Sequence, residues 1–219
     1  MHPRAFLDLL FPPACFRCGT SLAADAILCG SCAARVPAAP PVVVPGLPAC
    51  FAGAPYAGEV ESWVRAFKYP GAAGRFDPAP EALLGWLLAR AAGRVPPPLP
   101  DAIVPVPLHA HRLRARGFNP AGLLARRLAR DLGVAFDPVA LARVRDTASQ
   151  TGLDARARRR NVSGAFRFAR RGRAPARIWL VDDVVTTGST LAAAALPLRR
   201  AGAREVIGVC AAATPLAGG

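Results

Sequence analysis

An α/β fold, with a parallel sheet flanked by helices and a small cysteine-rich unit at its N-terminus, is predicted by three observations. Ile178 to Val181 form a short apolar run rich in β-formers, resumed at Val184 and Val185, as expected of a parallel strand buried on both faces. That run leads through Thr186, Thr187, Gly188, Ser189 and Thr190 into the helix-prone segment Leu191 to Leu198, a strand-turn-helix unit. Two C-x-x-C knuckles, Cys15 with Cys18 and Cys29 with Cys32, stand ten residues apart near the start of the chain. At 219 residues there is room for one α/β domain of ordinary size plus such an appendage. The expected division is a zinc-ribbon unit over 1–36, a proline-rich linker over 37–49 and the main domain over 50–219.

The knuckle spacing is that of a four-cysteine zinc ribbon, in which Cys15, Cys18, Cys29 and Cys32 each give a thiolate to one tetrahedral ion. So short a segment cannot build an adequate core, and structural zinc supplies about 10–16 kcal/mol of folding energy. With all four thiolates engaged no coordination position is open, so the zinc is structural. Disulfides are the competing reading, though nothing else in the chain indicates an oxidising compartment. Cys50 and Cys210 stand alone in apolar settings and read as buried core thiols.

Taking the chain in order, residues 5–11 read as a short helix or turn. The linker 37–49 reads as extended and surface-bound. A strand or hairpin arm is expected over 49–56, then a helix from Glu59 to Lys68 with Val60, Trp63, Val64 and Phe67 on one face, stopped by Pro70 and Gly71. A second helix covers Pro80 to Ala92. A strand follows from Ala102 to Val106, whose prolines imply an early end or an edge position. Asn119 as N-cap and Pro120 at the first helical position start a helix that runs to Leu132 and stops at Gly133. Arg112, Arg114 and Arg116 are then expected in the loop before that helix. Arg143 to Phe168 reads as a long mobile loop closing with a strand over 165–168. Thr190 to Ala201 is a helix kinked at Pro197, and Glu205 to Ala213 the last buried strand.

The formal charge is +14 and comes almost wholly from arginine, Lys68 being the only lysine. Arginine is dense over 112–130 and 143–173, and such fields attract polyanions, whether pyrophosphate or nucleic acid. Individually, most of these arginines read equally as solvated faces. The longest uncharged stretch, Val36 to Gly58, is broken by Pro37, Pro40, Pro41, Pro45 and Pro48 and cannot span a membrane as a helix. No membrane insertion and a cytoplasmic location are therefore expected.

The turn after the apolar strand carries the chemistry. A Thr/Ser/Gly turn opening a helix offers backbone N–H groups, hydroxyls and the positive end of the helix dipole to one anion. Asp182 and Asp183 directly before it would repel a bare polyphosphate but suit the two hydroxyls of a ribose whose 5-phosphate sits in the turn, with a divalent cation nearby. The plain alternative is a strand-turn-helix with a polar turn, in which case an Asp pair at a buried strand end is expensive without a purpose.

A hydrophobic run, Asp-Asp, two hydrophobics and Thr-Thr-Gly-Ser-Thr resembles the signature loop of type I phosphoribosyltransferases, which bind phosphoribosyl pyrophosphate (PRPP). The order of the remaining motifs is similar to the ComF (competence protein F) family of phosphoribosyltransferase-like proteins: the knuckles, Lys68-Tyr69, V-P-V-P-L followed by R-G-F-N, Thr147, Gln150 and Leu153, Arg158 with Asn161, and the loop. One departure is Pro120, where the family's R-G-F-N is usually followed by glutamine.

The resemblance implies a type I phosphoribosyltransferase fold, a Rossmann-like parallel sheet flanked by helices. It implies PRPP bound by Asp182, Asp183, Val184, Val185, Thr186, Thr187, Gly188, Ser189 and Thr190, with magnesium on the pyrophosphate. Asp182 and Asp183 take the ribose hydroxyls and are the catalytic candidates. Positive charge is needed at the leaving group, and Lys68, Arg112, Arg116 and Arg158 are the candidates for it. His109 and His111 have the intrinsic pKa for acid or base work, although loop histidines are more often bystanders. Three functional readings follow: a transferase acting on an acceptor the sequence does not name, a PRPP-binding protein of DNA uptake that handles single-stranded DNA or meets partner proteins, and a PRPP or nucleotide sensor.

Overall fold

A computed structural model of the chain describes residues 13–23, 26–40, 42–69, 77–146 and 160–215. Among these, the core is a five-stranded, fully parallel sheet in the order β1-β7-β6-β2-β3, with β1 Cys50–Pro55, β2 Ala102–Pro105, β3 Ala135–Phe136, β6 Arg177–Val185 and β7 Glu205–Ala213. The two long central strands read as continuous apolar runs because both of their faces are covered. Helix α1 (Gly30–Ala34) lies in the cysteine-rich unit, while α2 (Glu59–Lys68), α3 (Ala79–Ala92) and α5 (Pro120–Leu132) cover one face of the sheet, packing on Trp179 and Val181. The other face, with Ile178 and Leu180, is covered by α6 (Ser189–Arg200) and by the antiparallel pair β4 (Leu141–Arg143) and β5 (Phe166–Phe168).

Local chemistry sets the ends of these elements. In α2 the buried Val60, Val64 and Phe67 recur at helical spacing, and Glu59 and Glu61 in the first turn with Arg65 and Lys68 in the last complement the macrodipole. In α5, Pro120 opens the helix and Gly133 closes it in the left-handed conformation, φ 66°. Helix α3 lies so close to β1 that a Cβ on Gly53 would sit 2.1 Å from the carbonyl oxygen of Leu87. Only glycine permits that approach.

The structure differs from the expectations in four respects and decides between two readings in a fifth. The strand before the turn does not end at the acids: β6 carries both within its nine residues. Arg112, Arg114 and Arg116 lie not in a loop but on a short helix, α4 (Ala110–Arg116), capped by His109, whose Nδ1 accepts from the His111 amide. Asn119 does not cap α5 through its side chain; its Nδ2 donates instead to the carbonyl of Val106, fixing the segment after β2. Of the two readings of the prolines near β2, an early end at Pro105 is observed, whereas β2 is interior, between β6 and β3. The proline-rich segment is not merely laid on the surface: Val36, Ala39 and Val44 are buried, and Arg90 and Arg94 of α3 and the segment after it donate to the Val36 and Ala39 carbonyls.

The strands β3 and β4 are elements that the sequence reading passed over. Pro197 stays inside α6. The expected helix at 5–11, Pro70 and Gly71, and Thr147, Gln150, Leu153 and Arg158 lie outside the described residues. Cys50 and Cys210 are buried and free, and the Cys50 thiol together with burial pushes the Cys210 thiol well above its ordinary range, as for inert core cysteines. No helix of the described residues is long and apolar enough to cross a membrane.

Candidate functional site

The C-terminal end of β6 gathers the acids, the turn and the cations. Asp183 is buried beside the end of α2, and Asp182 is partly exposed. Lys68, at the end of α2, reaches Asp183 with Nζ 2.8 Å from Oδ2. Each carboxylate also accepts the next backbone amide, Asp183 N to Asp182 Oδ1 at 2.9 Å and Val184 N to Asp183 Oδ1 at 2.8 Å. Burial, then the charge of Asp183, push the Asp182 carboxyl up to about 8 against the opposing pull of Lys68. Burial pulls the Lys68 ammonium down, but Asp183 and then Asp182 more than offset it, and the net shift is upward.

Beyond β6, Thr187 and Ser189 share a hydroxyl contact of 2.8 Å and Gly188 takes φ 71°, turning the chain into α6. Gly188 caps α6, and the first helix amide, Ser189 N, donates to Thr187 Oγ1 at 3.4 Å, while the positive end of the helix faces the turn. Val44, from the proline-rich segment, packs under this turn: a Cβ on Gly188 would lie 2.7 Å from Val44 Cγ2.

Two cavities meet here. One of about 450 Å³ runs from the turn, with Thr186, Gly188, Ser189 and Thr190, past Asp182 and Lys68 to Tyr56, Glu61 and Arg65. The other, about 250 Å³, lies between Lys68, Tyr69, Arg112, Arg116, Asn119 and Arg143, and again includes Asp182, Asp183 and Thr190. The structure thus sets Lys68, Arg112 and Arg116 around the same cavity as the two acids. Arg158 lies outside the described residues, and Val184 and Val185 line the first cavity. His109 and His111 stand aside from both cavities and share Asp146, at 3.4 and 3.5 Å.

The sequence reading missed Arg143 as an individual site residue. It enters from β4, its guanidinium 5.4 Å from the Phe166 ring centroid, and burial together with Arg112 lowers its pKa. Three residues, Leu141–Arg143, are too few for a strand period to register, and Arg143 reads from the sequence as the start of a loop.

At the N-terminal unit the four sulfurs of Cys15, Cys18, Cys29 and Cys32 lie within 4.8 Å of one another. Tetrahedral zinc at Zn–S of about 2.3 Å places its sulfurs roughly 3.8 Å apart, and Cys18 Sγ and Cys29 Sγ are 3.7 Å apart. The Cys29 amide donates to Cys15 Sγ at 3.3 Å and brings that thiol down to about 6, whereas burial and Cys29 push the Cys32 thiol up to about 12. All-sulfur donors in this arrangement fit structural zinc. The unit is tied to the sheet: Cys15, Leu28 and Cys32 share a hydrophobic cluster with Val60, Val64 and Phe67, and Arg17 meets Glu59 at 3.0 Å.

The chain resembles known proteins at its cysteine-rich unit and along most of its length. Residues 6–56 match the double zinc ribbon domain. Over 197 residues the chain is 36% identical to the Haemophilus influenzae protein named competence protein F, covering 89% of this chain and 82% of that one. The chain belongs to the competence protein F family. It is also 50% identical over 109 residues to the DNA utilization protein YhgH of Salmonella typhi, and 48% identical over 110 residues to that of Escherichia coli K12. Those matches take in 50% and 49% of this chain, and 48% and 47% of the relatives, so the chain spans about half the length of the DNA utilization proteins it matches.

Proposed function

We propose that this family member binds PRPP, or a closely related ribose phosphate, at the end of β6 and serves DNA uptake. The observation that carries the reading is the Lys68–Asp183 pair, 2.8 Å apart, set beside a hydroxyl-rich turn that opens α6 and between two joined cavities. The 5-phosphate takes the Thr186–Thr190 turn, where hydroxyls, backbone and helix dipole all favour an anion. The ribose hydroxyls take Asp182 and Asp183, and the pyrophosphate takes the cations Arg112, Arg116 and Arg143. Arg158 joins them by the family motif. Magnesium accompanies the pyrophosphate and suits the carboxylate and phosphate oxygens there. The relatives' names supply the link to DNA uptake and utilization, and the +14 charge agrees with a polyanionic partner. In this reading the zinc ribbon 1–36 and the linker 37–49 form a fixed brace for the domain 50–219.

One observation favours transfer over binding alone. The larger cavity continues past the turn to Tyr56, Glu61 and Arg65, leaving room for an acceptor beside the ribose. Isothermal titration with PRPP and magnesium tests the site: the Asp182→Ala, Asp183→Ala double variant should lose binding while keeping the wild-type circular dichroism spectrum, and undiminished binding would overturn the assignment. Release of pyrophosphate on adding nucleobases or small amines tests transfer.

A further inference from the structure

The smaller cavity has a feature that a ribose pyrophosphate does not use. Tyr69 stands at its mouth, 69% exposed, an unusual state for an aromatic side chain. It is not loose: the Arg116 guanidinium lies 5.0 Å from the centroid of its ring and donates to its hydroxyl at 3.2 Å. One side of the ring is thereby backed by a cation, and the rest faces solvent. Behind it the cavity carries four cationic side chains, Lys68, Arg112, Arg116 and Arg143, against the carboxylates of Asp182 and Asp183. Lys68 pairs with Asp183, and Arg112, Arg116 and Arg143 add three further positive charges to the mouth. A cationic groove with an aromatic platform at its edge is the arrangement that binds single-stranded nucleic acid, the arginines tracking phosphates and the ring stacking a base. A duplex offers no open base face to such a ring.

We propose that the Arg112, Arg116 and Arg143 cleft also holds backbone phosphates of single-stranded DNA, with an unpaired base stacked on Tyr69, and that a diphosphate bound in the cleft excludes the strand. At about 250 Å³ the cleft accommodates one such group at a time. Its walls at Lys68, Asp182 and Thr190 are shared with the larger cavity, so a ligand anchored in the turn and reaching toward the arginines occupies the strand's place. The exclusion by PRPP rests on the function proposed above. Exclusion by inorganic pyrophosphate does not.

The test uses the full chain and a fluorescein-labelled oligothymidylate of about 15 nucleotides, the scale of single-strand site sizes, followed by anisotropy. Tyr69→Ala should weaken binding about tenfold, as loss of one stacked base does, and Tyr69→Trp should keep it. Arg112→Glu should weaken binding far more than Arg204→Glu, an equal charge change on an exposed residue before β7, at the opposite end of the sheet. Pyrophosphate, with ionic strength held constant by chloride, should raise the apparent Kd in proportion to its concentration. Failure of the oligonucleotide to bind, equal effects of the two charge reversals, or a strand that stays bound in saturating pyrophosphate would each overturn the proposal. Calorimetry with PRPP separates the two claims. Displacement by pyrophosphate without PRPP binding retains the strand site and rejects the ribose-phosphate site, and PRPP binding without displacement does the reverse.

Discussion

Gly188→Ala is the most direct probe of the turn on which the site is built. Gly188 sits at φ 71°, where a residue with a Cβ costs roughly 1–2 kcal/mol more than in the right-handed region. The added methyl would also lie 2.7 Å from Val44 Cγ2, 2.9 Å from Cγ1 and 3.1 Å from Cβ, none of which is the free end of a long side chain. Forcing such an overlap in a packed region costs about 1–3 kcal/mol. The expected loss is therefore about 2–5 kcal/mol, a large part of the roughly 5–15 kcal/mol that keeps a domain folded. Urea unfolding of four proteins resolves the two parts: wild type, Gly188→Ala, Val44→Ala and the double variant. Val44→Ala removes the obstructing methyls, so the double variant should be more stable than the sum of the single losses by about 1–3 kcal/mol, while the cost of the backbone angle remains. PRPP affinity should fall in Gly188→Ala and recover in part in the double variant, because the turn returns to place. Additivity within about 0.5 kcal/mol would refute the reasoning, since it would mean that Val44 does not brace the turn.

Further expectations concern the acids and the metal. Lys68→Met leaves Asp183 beside Asp182 without its cation. Breaking a buried pair from one side costs about 3–5 kcal/mol, which the partial exposure of Lys68 reduces to roughly 2–3 kcal/mol by urea unfolding; a loss below experimental error would show the pair to be irrelevant to stability. Asp182, raised from 3.8 to about 8 in the fold, holds a proton there that the unfolded chain has released, so its contribution to stability is full below about pH 4 and is lost as the pH rises toward 8. PRPP binding, which needs the ionised carboxylate, should strengthen over the same interval and level off above it. Asp182→Asn should flatten the stability slope, and an unchanged slope would assign it to another group. Metal analysis should find one zinc per chain, and its chelation should lower the melting temperature of the whole protein, because the knuckle residues share a cluster with α2. Zinc release at constant melting temperature would contradict that coupling.

What was legible in the chain were features whose cause is local. Runs of apolar residues gave the strands β6 and β7, because a parallel strand buried on both faces leaves no polar alternation. Proline and glycine marked the ends of α5 to the residue, through a fixed φ at one end and a left-handed φ at the other. Cysteine spacing gave the knuckles, since tetrahedral thiolate coordination tolerates few spacings. The turn Thr186–Thr190 was legible because its chemistry is carried by contiguous residues.

Contributions from distant parts of the chain were decided only by the tertiary structure. Lys68 lies more than a hundred residues before Asp183, and nothing local to either says that the end of α2 lands on that carboxylate. The short strand β4 pairs with β5 across a long intervening segment, and this non-local pairing places Arg143 in the cleft where sequence periodicity over three residues was too brief to register. Val44 looked like part of a solvent-laid linker because proline content reports backbone stiffness, not what the segment packs against. Tyr69 was visible only as one half of a dipeptide motif, and its exposure and its contact with Arg116 became apparent once α2 and α4 were set side by side. The sequence by itself determined the parallel sheet, the four-cysteine ribbon and the hydroxyl-rich turn; the packing of the chain decided which cations face that turn and which aromatic ring stands beside it, because those neighbours are chosen by sheet order and helix placement rather than by adjacency along the chain.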